Sequence, residues 1–290
     1  MRSLAELIEG AKDSIRKNIV VVGAEDEEAV KAAVLARENG VVDNITLVGS
    51  AVARKIYGDF QFVQAKSEQE ACEMGVKIVS SGQAHILLKG LVKTSTLLKA
   101  VLNKEWGLRG SGLLSHIAAL EVPALDRIIF VTDGGMVIRP TLEDKVTIIR
   151  NAVNLLHRLG YSKPRVALIC AVETVNQEMP ETVEAAVISK LAQRGEIKGC
   201  IVDGPLGLDN ALNEEAAKIK GIQSEVAGKA DLLVVPDIHS GNFLGKSAVY
   251  LAGGRIAGLV VGAKAPVVVV SRADNAQSKL LSIAMAACAG

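Results

Sequence analysis

Residues 230–278 read ADLLVVPDIHSGNFLGKSAVYLAGGRIAGLVVGAKAPVVVVSRADNAQS, and their pattern decides between fold classes. The apolar run Leu232 to Val235 meets the polar turn Pro236-Asp237, and a helix opens at His239-Ser240-Gly241-Asn242. Two more apolar segments follow, the second of which, Val267 to Val270, runs straight into Ser271-Arg272-Ala273-Asp274-Asn275 and a last helix. Short strands that hand over to helices are the repeating unit of a parallel α/β sheet. At each helix start, unpaired backbone N–H groups and the positive end of the dipole favour an anion. Lys246 lies four residues beyond Asn242 on the same helix face, and Arg272 stands in the second start. Ser, Asp and Asn at such places are also ordinary caps, and a lone Lys or Arg there is also a solvated charge. Residue type leaves both readings open.

The same alternation extends outward through the chain. Ile19–Val22, Ile45–Val48, Ile86–Leu88, Ile128–Val131, Val166–Ile169 and Cys200–Val202 read as further short strands, each separated by a helical pattern. The fold class is therefore α/β. The opening stretch MRSLAELIEGAKDSIRK mixes charges with Leu and Ile at helical spacing, which predicts a first helix and no signal core. Glu25 to Glu28 opens a helix whose dipole the acidic groups complement, and Asn39-Gly40 ends it.

Half of the 290 residues are hydrophobic, enough for one large domain or two smaller ones. A net charge of +1 with mixed signs gives no field for nucleic acid. Lys264 and Pro266 break the longest apolar run short of the ~20 residues that a membrane span needs, so no membrane association is expected. Cys72, Cys170, Cys200 and Cys288 are far apart, with no CxxC and no paired His. That spacing offers neither a metal site nor a disulfide framework, and the cysteines are expected to be reduced in a cytoplasmic protein.

Two other segments hold candidate site residues. In KGLVKTSTLLKAVL, Lys89, Gly90 and Lys93 form a turn before Thr94-Ser95, which is expected to cap a helix buried through Leu97, Leu98, Val101 and Leu102. Basic groups beside a capped start hold phosphate or are solvated, and spacing leaves the choice even. In WGLRGSGLLSHIAALEVP the glycines only echo a dinucleotide fingerprint, since no strand precedes them. Asp133-Gly134-Gly135-Met136 ends a strand and Pro140-Thr141-Leu142-Glu143 opens a helix. For Asp209, helix capping is the local explanation.

PDIxxGNxxxKSxxYxAG followed by GAKAPVVVxSRAD resembles the signature region of the phosphate acetyl/butyryltransferase family, most closely its butyryltransferase branch. KGLVxTSxxLKAVL, the LSH turn, DGGMxIxPTLExK and DGPxxLDNA extend the resemblance over essentially the whole chain. It implies two α/β domains with mainly parallel sheets and a cleft between them, as in isocitrate and isopropylmalate dehydrogenases. With the turn at Asp133–Met136 as the crossing point, the expected domains are 1–138 plus 264–290 and 139–263. The implied reaction is reversible: a short-chain acyl-CoA and inorganic phosphate give acyl phosphate and coenzyme A. Coenzyme A is then a substrate, no cofactor is tightly held, the chain is a homo-oligomer, and a carboxylate (butyrate) kinase is a functional partner.

The resemblance also implies roles for single residues. Ser115 and Arg272 are the catalytic candidates, Ser115 as donor to the carbonyl or departing sulfur and Arg272 as a bidentate clamp on phosphate. Ser271, Arg109, Lys89, Thr94, His116, Asn242 and Lys246 are the phosphate- and substrate-binding candidates. Two departures stand out. Position 278 is Ser where acetyltransferase relatives carry an Asp with an assigned base role, and His239-Ser240 replaces a common Glu-Ala. Phosphate with a second pKa near ~6 to 7 is largely dianionic at neutral pH, and a thiol of pKa about 8.5 leaves without strong acid help, so a general base is dispensable. The alternatives are a phosphate acetyltransferase or branched-chain acyl relative, an NAD-dependent decarboxylating dehydrogenase of similar fold, and a non-catalytic coenzyme-A-binding protein. Against the dehydrogenase stands the lack of a clustered Asp motif for a divalent metal.

Overall fold

The apolar runs become the middle of parallel sheets. In the computed structural model, which describes residues 1–13, 17–110, 112–271 and 274–290, the chain divides into two compact units. One comprises Ser3–Gly112 with Ile256–Gly290, and the other Leu113–Arg255.

In the first unit α1 (Ala5–Lys12) precedes β1 (Lys17–Val22), α2 (Glu27–Glu38), β2 (Val42–Gly49), α3 (Ala51–Ile56), β3 (Gln61–Gln64), α4 (Glu68–Ser80), β4 (Ile86–Lys89) and α5 (Thr94–Val101). The strands lie parallel in the order β3-β2-β1-β4. Val20, Val21 and Val22 of β1 are wholly buried, as a strand covered by helices on both faces requires. Gly75 lets α4 approach that strand, since a Cβ there would meet Val22 Cγ2 at 2.2 Å. Asp26 starts α2 by accepting the Ala29 N–H at 3.0 Å, and Gly40, at φ 72°, turns the chain out of it.

The second unit contains β5 (Ser115–Glu121), β6 (Ile129–Thr132), α6 (Leu142–Arg158), β7 (Arg165–Ile169), α7 (Pro180–Gln193), β8 (Ile201–Leu206), α8 (Leu208–Leu212), α9 (Glu214–Ile219), β9 (Leu232–Val234) and α10 (Ile238–Tyr250). Its strand order is β5-β6-β9-β7-β8, with β5 antiparallel to β6 and the others parallel. A reciprocal capping box, Thr141 with Asp144, opens α6. The chain then returns to the first unit through β10 (Arg255–Val261) and β11 (Val267–Val268), which adds in parallel to β4, and ends in α11 (Ala276–Ala289). Ten residues of α11 are buried, on every face, and α1 and α2 pack against it.

Several expectations need correction. The units divide at Gly112–Leu113 and Arg255–Ile256, not at 138 and 264. The reason is the β5–β6 hairpin, whose second strand pairs with β9, so Gly134 and Gly135 turn within the second unit. Ser115-His116 is the beginning of a strand, not a turn. Lys93, not Thr94, is the N-cap residue of α5, and no side chain caps it. Leu102 is exposed and Leu98 only half-buried, so α5 is anchored through Leu97, Ala100 and Val101. Asp209 caps nothing; Gly207 is the N-cap of α8, and Asp209 pairs with Lys220 at 3.0 Å. The strands β3, β5 and β10 were not expected as such.

Candidate functional site

Ligands of open parallel sheets bind beyond the carboxyl ends of the strands. In the second unit those ends are Thr132, Ile169, Leu206 and Val234, and because β5 runs antiparallel its first residues, Ser115 and His116, lie beside the end of β6. The stretch Asp133–Val137 is wrapped around one carboxylate. Asp133 accepts the backbone N–H groups of Gly135 and Met136 on Oδ1, at 2.9 and 2.8 Å, and those of His116 and Val137 on Oδ2, at 3.1 and 3.2 Å. Asp133 is buried, so the four charge-assisted bonds take the place of water. The Thr132 hydroxyl donates to the His116 carbonyl at 2.7 Å and ties the two strand ends a second time.

The start of α10 packs on this loop. Asp237 caps the helix by accepting both the backbone N–H and the hydroxyl of Ser240 at 2.8 Å. That bond leads the causes holding the Asp237 carboxyl below its ordinary pKa. Gly241 and Gly134 meet backbone to backbone, since a Cβ on Gly241 would come within 2.5 Å of Gly134 Cα. Asn242 reaches the Gly134 carbonyl at 3.5 Å, and Asn242 and Lys246 both stand exposed on one side of α10.

Adjacent residues of a strand point to opposite faces, and Ser115 and His116 do so with opposite consequences. Ser115 is completely buried, and its Oγ accepts a hydrogen bond from Asn151 Nδ2 of α6 at 3.1 Å. The same amide also donates to the Leu113 carbonyl at 2.9 Å. His116 is half-buried beside Gly135, with Nδ1 shielded from solvent and no hydrogen-bond partner there. Burial pushes the His116 pKa down, against the pull of the Asp133 carboxylate, so the ring is neutral at pH 7.

In the first unit the pairing of Val268 with Leu88 sets Lys89 and the residues leading to Ser271 side by side at the carboxyl ends of β4 and β11. Lys89 is buried and its Nζ donates to the Gly90 carbonyl at 3.3 Å. Gly90 can pass Gly23 only without a side chain, because a Cβ would lie 2.2 Å from the Gly23 oxygen. Thr94 opens α5 at the same edge, half-buried. Arg109 is elsewhere: it bridges to Ala263 in the turn that leads into β11, at the starting end of that strand. Ser271 is four residues beyond Val267, the first residue of β11. Arg272 lies outside the described residues.

The start of α11 is already capped. Ser271 N–H donates to Asp274 at 2.9 Å, Ala276 N–H to Glu28 of α2 at 2.8 Å, and Ser278 N–H to Asn275 at 3.0 Å. These three N–H groups are therefore not open to an anion. Lys279 in the first turns of α11 is 1% exposed, and its Nζ reaches the carbonyls of Asp274, at 2.6 Å, and Ser271, at 3.5 Å.

Asp133, Asn151 and Lys279 escaped the sequence reading as site residues. Asp133 carried a signal, a lone acid before two glycines, and so did Lys279, a charge inside AQSKLLSIAMAA. Asn151 carried none. Among the described residues no group of three or more His, Cys, Asp and Glu is arranged to hold a metal ion, and no helix is long and apolar enough to cross a membrane. The thiols of Cys72, Cys170 and Cys200 are pushed up to about 11 by burial.

Residues 59–287 match the model of the family described as "Phosphate acetyl/butaryl transferase". The chain is 44% identical to a phosphate butyryltransferase of Clostridium acetobutylicum over 99% of its own length and 98% of the relative's. It is 40% identical to a phosphate acetyltransferase of Thermotoga maritima, with 98% of each chain covered. Among solved structures it resembles a branched-chain phosphotransacylase from Enterococcus faecalis, with a TM-score of 0.87 and 33% identity, over 94% of this chain and 98% of that one.

Proposed function

The chain belongs to the phosphate acetyl/butyryltransferase family, and on that premise we propose that it transfers a short acyl group, butyryl in preference to acetyl, from coenzyme A to inorganic phosphate. The observation that carries the reading is the near full-length 44% identity to a phosphate butyryltransferase, together with site blocks that occupy the carboxyl ends of the strands. A phosphate oxygen attacks the thioester carbonyl, a C–O bond forms, the C–S bond breaks, and coenzyme A leaves as a thiolate that takes its proton from solvent. Acyl phosphate and coenzyme A are the products, and the reverse reaction uses the same groups.

The residues divide the work by where they stand. Arg272 is the phosphate clamp of the proposal, its guanidinium fork matching two phosphate oxygens. Lys89 and Thr94 border the same edge of the first unit. Arg109, anchored at the other end of β11, is given a role in binding coenzyme A rather than the reacting phosphate. On the second unit, Ser115 has no surface, so the donor role expected of it passes to its neighbour. His116 is only half-buried, and with its Nδ1 shielded the neutral imidazole is given the donor role through its other ring nitrogen, Nε2, which brings no charge to the carbonyl oxygen of the substrate. Ser115 and Asn151 hold the strand from below, while Asn242 and Lys246 line the surface where an acyl-CoA would lie. The domains work as a pair of α/β units, and the active protein is a homo-oligomer in the cytoplasm whose product feeds a carboxylate kinase.

The deciding experiment is release of free thiol from butyryl-CoA with and without phosphate. Release that requires phosphate and is faster with butyryl-CoA than acetyl-CoA is the expected result. Binding of acyl-CoA without any phosphate-dependent release would leave a coenzyme-A-binding protein instead.

A further inference from the structure

The single tryptophan of the chain lines an open cleft that none of the residues discussed so far occupies. In the first unit α4 and α5 pack side by side, and the groove between them widens into a cleft of about 360 Å³. That is within the ~300–1,000 Å³ range of small-molecule sites. Trp106 is brought there by the turn that follows α5. Asn103 Oδ1 accepts the N–H groups of Glu105 and Trp106 at 2.9 and 3.1 Å, and Gly107 fits only without a side chain, since a Cβ would lie 2.5 Å from the Asn103 carbonyl oxygen. Lys77 of α4 sits over one face of the half-buried ring, 5.0 Å from its centroid, and is not itself part of the cleft wall. The ring is held from behind and turns its free surface to the cleft. Gln69 of α4 and Lys99 of α5 are exposed on the wall, and neither makes a hydrogen bond or an ion pair among the described residues. Two acids are near and both are engaged: Glu73 pairs with Lys77 at 2.6 Å, and Glu68 accepts the Thr96 hydroxyl at 2.6 Å. These two carboxylates balance the two lysines, so no net charge draws a ligand in. Recognition falls to the ring and the amide, with Lys99 as an unpaired cation.

A nucleotide answers to this set of groups. Stacking on an aromatic ring needs no charge, a glutamine amide offers one donor side and one acceptor side to the edge of an adenine, and a lysine takes a phosphate oxygen. We propose that the cleft binds an adenosine phosphate, with the base against Trp106, its edge on the Gln69 amide and a phosphate on Lys99. Coenzyme A carries that group at the end remote from its thiol, and free ADP carries it too. The cleft begins at Ser95, next to Thr94 of the proposed site, and Arg109, which is given a role with coenzyme A above, is three residues beyond Trp106. As the seat of the coenzyme's tail the inference rests on the acyl-transfer reading; as a site for adenine nucleotides it stands without it.

With one tryptophan in the chain, its fluorescence reports on this cleft directly. The test is titration of that emission with coenzyme A, ADP, GDP and pantetheine, the last of which lacks the nucleotide. Saturable changes with coenzyme A and ADP are expected, with GDP and pantetheine at least about ten-fold weaker. Lys99→Ala, an exposed change that keeps the reporter, is expected to weaken ADP on the order of three-fold or more. Trp106→Ala, followed by calorimetry, is expected to weaken it about ten-fold or more. Kinetics separate the two sources. If the tail of coenzyme A is the occupant, ADP competes with butyryl-CoA, and both variants raise the butyryl-CoA KM while the phosphate KM changes less than about two-fold. If free nucleotide is the occupant, ADP binds with the same dependence on Trp106 and Lys99 and does not compete. No fluorescence response to either coenzyme A or ADP at millimolar concentration overturns the proposal, as does an ADP affinity that neither variant changes. Absence of phosphate-dependent thiol release in the unsubstituted protein would instead sink the acyl-transfer reading and leave the ADP titration to be judged by itself.

Discussion

Replacing Asp133 by Asn is the most demanding check of the second unit. The carboxylate serves four backbone N–H groups, two on each oxygen. An amide has one acceptor oxygen, so whichever way it turns, its NH2 faces two N–H donors that previously had partners. Two charge-assisted bonds are lost at about 1.5–3 kcal/mol each, which gives ~3–6 kcal/mol. A neutral amide is cheaper to bury than a carboxylate, and this offsets part of the loss, so about 3 kcal/mol is expected. For a protein of this size that is a fall in Tm of roughly 5 °C. The freed groups belong to His116 and to the Gly135–Val137 loop, so phosphate-dependent thiol release measured well below the melting point should also fall, by about ten-fold or more. A variant that melts within about 2 °C of the parent and keeps its kcat/KM would refute the claim that this carboxylate organises the site.

Two other predictions bear on the proposed chemistry. Arg272→Lys keeps a charge but not the fork, and Arg272→Ala keeps neither; both are expected to lose on the order of 100-fold in turnover while melting as the parent does, with acyl-CoA binding weakened less than phosphate binding. Near-normal kcat and phosphate KM in Arg272→Ala would pass the role to Lys89 or Lys246. His116 is held below its ordinary pKa of about 6.5, so in acid the unfolded chain takes up a proton that the folded chain refuses. Its contribution to stability is therefore complete above that ordinary value and is lost as the pH falls toward the lowered one; Tm measured between pH 7.5 and 5.5 should drop more steeply in the parent than in His116→Gln, and parallel profiles would count against the buried neutral ring.

Strands buried on both faces announce themselves, which is why Ile19–Val22 and Leu232–Val235 were legible: a run of Val and Leu has no other use in a chain with so few aromatics. The strand β3, QFVQ, has no buried residue and sits at the sheet edge, so its composition gives nothing to read. Within SHIAALE only the beginning, Ser115-His116, was read as a turn, because those residues are polar, and the Ala residues that follow carry little strand propensity; pairing with β6 makes the stretch a strand. A motif that concentrates glycine and charge, as at Asp133-Gly134-Gly135, left a signal, but it was read as the crossing between domains and not as part of the site. The site was not legible where the partner comes from far along the chain. Nothing in the middle of α6 says that Asn151 will meet Ser115, and nothing near Glu28 says that it will cap α11.

That last contact changes how the Ser at position 278 should be weighed. Position 278 is the third residue of α11, and its N–H is the one that the N-cap side chain of Asn275 satisfies. A carboxylate at the third position of a helix is also half of a capping box, reaching back to the N-cap N–H and favoured by the dipole. An Asp at this position of α11 would therefore have a structural use as well as a chemical one. In this chain the Asn275 side chain caps the helix at Ser278, Glu28 holds the first amide from α2, and Lys279 Nζ donates to the Asp274 carbonyl. With the helix start secured by other residues, a Ser at 278 leaves no negative charge at this position. On the proposed reading, in which phosphate is held at Arg272, that departure favours binding of a dianion, and the base it gives up is one that an already ionised phosphate does not need.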